Sequence, residues 1–251
     1  MNINLDLPLT EQRRLLRPLL QPRRTADAMA AYFAYHHPDE RTTLVTAVDD
    51  NQRALAYMAL SRTSIDLFRP FVTLRLPITD LEQSLDFIYG VLQPGASVIL
   101  NAPYDYAPLL RTIFAINSEE KLQLLELDQT RHEPIVNVLV MQSTSLSGYP
   151  RFVIRTGGGQ DEASVVAAAS LNWQSPSHAE IAVNTQAAFQ RRGWGRSVVS
   201  AMVQHLLANG RKPLYSVAEQ NEVSQRLATA VGFVDRGVRQ LLVQGTLQPR
   251  P

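Results

Sequence analysis

The stretch from Glu180 to Leu207 constrains the fold more than any other part of the chain. Ile181, Val183 and Thr185 recur at every second position, which is the period of a strand. The segment Gln190-Arg191-Arg192-Gly193-Trp194-Gly195-Arg196 follows. Val198, Val199, Met202, Val203, Leu206 and Leu207 then form one helical stripe, ended by Asn209–Gly210. A strand that passes through a glycine loop into a helix is a building unit of α/β architecture. The same logic continues with strand Leu214–Val217, a helix from Asn221 to Val231, and strand Phe233–Val243. Asn221 is a good N-cap and Gly232 suits the left-handed exit.

Upstream, strands are expected at Arg151–Arg155, Ser164–Asn172 and Glu180–Thr185, with turns at Gly157–Gly158–Gly159 and Gln174–His178. The first half has the same order. Strands are expected at Thr43–Val48, Ala54–Ser61 and Phe71–Leu76, with Asp49–Asp50–Asn51 as a hairpin turn. Thr79 and Glu82 read as a capping box, ahead of a helix whose face is Leu81, Leu85, Ile88 and Leu92. Strand Ser97–Asn101, helix Tyr106–Ala115 and strand Leu122–Leu127 complete the half. Ahead of all this, Thr10 is expected to cap a helix carrying Leu15, Leu16, Leu19 and Leu20, and Thr25 a second one that stops at His37, before Pro38. The chain therefore reads as an α/β protein with a mixed sheet and an internal duplication. The expected domains are 1–148 and 149–251, although residue identity between them is slight.

Composition excludes several functions. The 251 residues are 45% hydrophobic and 19% charged, an ordinary globular balance. The formal net charge of +1 gives no electrostatic case for nucleic acid or membrane partners. No cysteine is present, so disulfides, thiolate metal sites and a cysteine nucleophile are excluded. Adjacent His36 and His37 do not share one face of a helix or strand, and no metal site is expected. The arginines at 13, 14, 17, 23 and 24 read as a solvated face, with phosphate binding as the alternative. No apolar segment has the length of a signal peptide or a membrane span, so a cytoplasmic location is expected. The Tyr104-Asp105-Tyr106 turn reads as structural, with the lining of a substrate cleft as the alternative for a loop before a helix.

Chemistry concentrates in the glycine loop. Glycines let a ligand approach the backbone, and the first turn of a helix leaves N–H groups unpaired where the dipole favours negative charge. Arg191, Arg192 and Arg196 add cationic donors. Alone, this pattern also fits a tight turn with solvated arginines. Joined to Ala179–Thr185 upstream and to Asn221-x-x-Ser224-x-x-Leu227 with Gly232-Phe233 downstream, it resembles the GNAT superfamily of acetyl-CoA-dependent N-acyltransferases. The resemblance covers roughly residues 150 to 245.

That resemblance implies a GNAT fold, two tandem halves, and acetyl-CoA as acyl donor with no metal. It implies coenzyme contacts from Gln190, Arg191, Arg192, Gly193, Trp194, Gly195 and Arg196, from Val183 and Thr185 on the strand, and from Asn221 and Ser224. The Trp194 and Val198 side chains themselves read as packing. The implied reaction is attack by a small amine or amino-acid-like acceptor on the thioester, with Glu180 as the proton acceptor, at the start of its strand. His178, in the expected turn, is a weaker candidate. One departure stands out: many family members have a tyrosine after the leucine of the last helix, and here that place is Ala228. Either the thiolate leaves without that acid or another donor serves, Tyr215 being one that nothing in the sequence supports. The first half has no glycine pair after its third strand and carries Asp80 and Glu82, so it reads as a degenerate copy that shapes the acceptor pocket. Two rival functions remain, a non-catalytic acyl-CoA-binding module and an acetyltransferase for protein N-termini or lysines.

Overall fold

The protein is described by a computed structural model covering residues 1–63, 66–77, 79–156 and 164–251. The expected turn at Gly157–Gly158–Gly159 lies outside the described residues. In chain order the elements are β1 (Asn2–Asn4), α1 (Leu9–Leu15), α2 (Ala28–Tyr35), β2 (Thr42–Val48), β3 (Ala54–Ser61), β4 (Phe71–Arg75) and α3 (Leu81–Val91). Then come β5 (Ser97–Pro103), α4 (Ala107–Ile113), β6 (Phe114–Leu127), β7 (Met141–Thr144), β8 (Pro150–Arg155) and β9 (Val165–Gln174). The chain ends with β10 (His178–Thr185), α5 (Trp194–Ala208), β11 (Lys212–Ala218), α6 (Glu222–Val231) and β12 (Phe233–Leu247). Two compact units form: Met1–Leu122 with Arg239–Pro251, and Gln123–Val238. Compared with halves at 1–148 and 149–251, residues 123–148 group with the second unit and 239–251 with the first.

In the first unit β1 to β4 pair antiparallel in sequence, β5 joins β4 in parallel, and residues 240–246 of β12 pair with β5. Alternation sends successive residues to opposite faces. Leu44, Tyr57 and Ala59 pack with Leu16, Leu20, Ala30 and Ala34 of the α1–α2 region. Val45, Met58, Val72 and Leu100 pack instead with Phe87, Ile88, Leu110 and Ile113 from α3 and α4. Both faces of this sheet are thus covered.

The second unit has the strand order β6-β11-β10-β9-β8-β7. There β10 and β11 pair in parallel, and β7, β8, β9 and β10 pair antiparallel in turn. Val198, Val199, Met202, Val203 and Leu206 of α5, all fully buried, pack with Ile154, Ala167, Ala169, Leu171 and Ile181, and Ala228 and Val231 of α6 join that core. The duplicated order is explicit: β2-β3-β4-α3-β5-α4 matches β8-β9-β10-α5-β11-α6.

Several expected boundaries move. Thr10 does not cap α1, which starts after Pro8 with no side-chain cap. Thr25 opens a short 3-10 turn, and α2 begins only at Ala28. The cap of α3 is Asp80, whose carboxylate accepts the Gln83 N–H at 3.0 Å, in place of the Thr79–Glu82 box. That starting point turns Leu81 outward, 58% exposed. The last strand of the first half begins at Phe114 and not at Leu122, because its polar stretch Asn117–Lys121 is largely solvent-facing and shows no apolar alternation. Strands β1 and β7, too short and polar to signal themselves, were not expected. Among the described residues no helix is long and apolar enough to cross a membrane, and no group of three acidic or histidine residues could hold a metal.

Candidate functional site

Strands β10 and β11 pair only from His178 opposite Lys212 to Glu180 opposite Leu214. The register of β10 against β9 shifts between Glu180 and Ile181, and a bulge of this kind bends a strand away from its neighbour. Beyond it, the Gln186 N–H donates to the Val166 carbonyl at 2.9 Å. Antiparallel pairing alternates, so the backbone groups of Val183 and Thr185 point away from β9, into the opened side.

The loop that follows delivers the N-terminus of α5 to this opening. Arg191 (φ 60°) and Gly193 (φ 76°) both adopt left-handed backbone, and Gly193 caps the helix without any side-chain hydrogen bond. A glycine holds that conformation without cost, whereas Arg191 carries strain. Ser197 N–H makes the first helical bond, to the Gly193 carbonyl at 3.0 Å. Among the described residues, the N–H groups of residues 191–196 meet no protein acceptor. The two glycines act differently. A Cβ on Gly193 would meet nothing within 4 Å, so the space above it is open. A Cβ on Gly195 would sit 2.8 Å from Leu227 Cδ1 and 3.1 Å from Thr185 Oγ1, so this glycine lets α5 approach β10 and α6.

A cleft of about 660 Å³ lies here. It is lined by Val183, Thr185, Gln190, Arg191, Gly193, Trp194, Gly195, Arg196, Asn221 and Ser224, every expected coenzyme residue except Arg192. The Arg192 guanidinium instead lies over the rings of Phe189 and Trp194, at 5.2 and 5.4 Å, while those rings stack 5.4 Å apart. Asn184, Phe189, Val223, Arg226 and Leu227 also line the cleft and were missed. Val223, on α6, is 65% exposed. Asn221 accepts the Ser224 N–H at 3.1 Å as the cap of α6. The Ser224 hydroxyl lies 2.7 Å from that of Tyr215, which is buried. Burial pushes the Tyr215 phenol up, against the pull of Ser224. Ala228 is fully buried.

Glu180 is the third residue of β10 and only 4% exposed, in place of the strand start expected from sequence. Asn172 Nδ2 donates to its Oε1 at 2.8 Å and Trp173 Nε1 to its Oε2 at 2.7 Å. Burial raises its carboxyl above the ordinary carboxylate value, and these two bonds oppose the rise without cancelling it. A carboxyl in this state exchanges its proton nearer neutrality than a solvated one. His178 begins β10 in place of ending a turn. It is fully buried, with Nδ1 3.0 Å from Ser177 Oγ.

Residues 128–238 match the family model for GNAT acetyltransferases. No sequence among the curated proteins matches the chain. Solved structures resemble it over nearly their whole length. A Drosophila protein superimposes with TM-score 0.66 at 12% identity, covering 95% of each chain. A GCN5-related N-acetyltransferase from Kribbella flavida gives 0.60 at 14% identity, covering 91% of this chain and 96% of that one. A tandem GNAT protein from the clavulanic acid biosynthesis pathway gives 0.55 at 12%, covering 96% and 94%. The chain has the GNAT fold, and its residues 128–238 are the part that matches the GNAT acetyltransferase model.

Proposed function

We propose that the protein is an acetyl-CoA-dependent N-acetyltransferase that acts on a small amine or amino-acid-like acceptor. The observation that carries this is the cleft at the start of α5. It offers the unpaired N–H groups of residues 191–196, open space over Gly193 and the exposed cations Arg191 and Arg196. These features suit a pyrophosphate. The outward-facing backbone of Val183 and Thr185 suits the amides of a pantetheine arm lying along β10.

Acetyl-CoA would supply an activated acyl group, and the chain then has to manage one proton. As the amine nitrogen bonds to the acyl carbon and the carbon–sulfur bond breaks, the nitrogen must lose a proton. We assign that proton to Glu180, directly or through one water. Each of its oxygens accepts one bond from the protein and has a lone pair left. A thiol of pKa about 8.5 leaves readily as the thiolate, so the buried Ala228 does not forbid the reaction. The first unit, in this reading, holds no coenzyme. Release of free thiol from acetyl-CoA, measured over a pooled amine library, tests the proposal: acceptor-dependent release is expected, and coenzyme binding without it would refute catalysis.

Ala228 at the tyrosine place favours a second reading, an acyl-CoA-binding module without turnover. Ala228→Tyr separates the two. Overpacking a fully buried site costs roughly 1–3 kcal/mol, so a slower enzyme is expected. A clear gain in thiol release would show instead that only the acid was missing.

A further inference from the structure

We propose that the first unit binds a small organic anion, an apolar body carrying a carboxylate or phosphate, in the cleft between the end of α1 and the end of α2. This inference does not rest on the acetyltransferase reading. The cleft measures about 620 Å³ and is lined by Arg17, Leu20, Gln21, Pro22, Arg23, Tyr35 and His36. That volume suits a small ligand. Leu20, 1% exposed, and Pro22 provide apolar wall.

The polar groups are unbalanced in a way that calls for an anion. Arg13 is paired with Asp39 and Arg14 with Glu11. Arg17 and Arg23, which line the cleft, have no carboxylate partner among the described residues. The buried acid Asp27 is already committed: one oxygen takes Arg75 at 2.8 Å and the other takes the Gln21 N–H at 3.2 Å. The Tyr35 hydroxyl oxygen is buried and meets no partner among the described residues. Burial pushes its ionisation up to about 12, with Arg17 pulling the other way, so it stays a proton donor at neutral pH. Burial, with Arg13, pushes His36 down, leaving its ring neutral and able to hydrogen-bond. Two unpaired guanidiniums, one stranded hydroxyl and an apolar wall are complementary to an oxyanion with an apolar body.

The test uses the full chain at low salt and two probes, phenyl phosphate and phenylacetate, with benzyl alcohol as the neutral analogue. Calorimetry gives affinity, and amide chemical shifts locate the site. At least one anion should bind with a Kd below about 1 mM, shifting amides across 17–36, and the neutral analogue should bind at least about tenfold more weakly. The stronger of the two anions identifies the headgroup. Arg17→Gln and Arg23→Gln change exposed side chains, and each should weaken the anion about tenfold. Tyr35→Phe should weaken it by about threefold or more. Acetyl-CoA affinity should stay unchanged in all three variants. Absence of anion-induced shifts at about 10 mM, equal binding of benzyl alcohol, unchanged affinity in Arg17→Gln, or displacement of the probe by equimolar acetyl-CoA would each overturn the proposal.

Discussion

The two units open the same gap in their sheets and fill it differently. Parallel pairing stops at Thr73 opposite Asn101 in the first unit, and at Glu180 opposite Leu214 in the second. Three residues further on lie Leu76 and Val183. In the first unit the Leu76 N–H donates to the Tyr106 hydroxyl at 3.1 Å, and that hydroxyl lies 3.4 Å from the Leu76 carbonyl. Tyr106, 7% exposed, thus occupies with protein the backbone that Val183 leaves to the cleft. The helix starts differ in the same sense. Asp80 caps α3 with a carboxylate and Glu82 follows in the first turn, while α5 starts at Gly193 with open N–H groups and no acid. The fold makes the gap, and a few side chains decide whether a ligand can use it.

The comparison is sharpened most by Glu180, whose topological counterpart in the first unit is Thr73. If Glu180 is the proton acceptor, Glu180→Gln lowers turnover by about two to four orders of magnitude while acetyl-CoA affinity barely changes. Stability should move the other way. A carboxyl whose pKa is raised on folding gives stability that is present below its unfolded pKa and lost as pH rises through the folded one. The wild type should therefore lose ground to Glu180→Gln as pH rises, in denaturant titrations from pH 4 upward. Unchanged turnover across pH would remove Glu180 from the chemistry.

Next in size is Gly193→Asp, which gives α5 the kind of acidic cap that α3 already has. It adds a negative charge where two phosphates would sit, and asks a residue with a Cβ to hold φ 76°. Affinity for acetyl-CoA should fall on the order of a thousandfold. Calorimetry should give one site per chain in the wild type and none measurable in the variant. A second site, or full binding by the variant, would break the contrast between the units.

Most of this architecture was legible because periodicity carries it. The apolar run in Ala54–Ser61 is a direct consequence of a strand buried on both faces, and the stripe from Val198 to Leu207 of a helix buried on one. The glycine loop was legible because its demands are local: positive φ at Gly193 and close packing at Gly195 are met by the residue itself. What stayed hidden depends on partners distant in sequence. Tyr106 looked like part of a structural turn, and its hydrogen bonds to a residue 30 positions earlier have no local signature. The burial of Glu180 between Asn172 and Trp173 follows from β9–β10 register, which no spacing within β10 reports. Arg192 carries the same charge as its neighbours, and only its stack on Phe189 and Trp194 removes it from the cleft lining.

Tyr106→Phe tests whether the first gap is held shut by the hydroxyl or by the ring. The ring remains, but the buried Leu76 N–H loses its acceptor, and an unsatisfied buried donor costs roughly 1–3 kcal/mol. A drop of that size in chemical denaturation, with acetyl-CoA stoichiometry unchanged at one, is expected. A neutral substitution would mean that ring packing alone closes the gap.

The smallest expected effect belongs to Asp80→Asn, and its smallness is the point. Asparagine is as good an N-cap as aspartate, so the bond to Gln83 N–H survives through the side-chain oxygen. Only the charge goes, and a charge at a helix start is worth about 0.3–1 kcal/mol at an accessible site. If the carboxylate were what kept coenzyme from the first unit, removing it would create a second site. The structure argues otherwise: α3 would still lack a left-handed glycine at its start, and Tyr106 would still hold Leu76. Binding of acetyl-CoA should therefore stay within about twofold of wild type, at one site per chain. A stoichiometry of two in calorimetric titration of this variant would show that charge alone separates the units, and would make Tyr106 incidental.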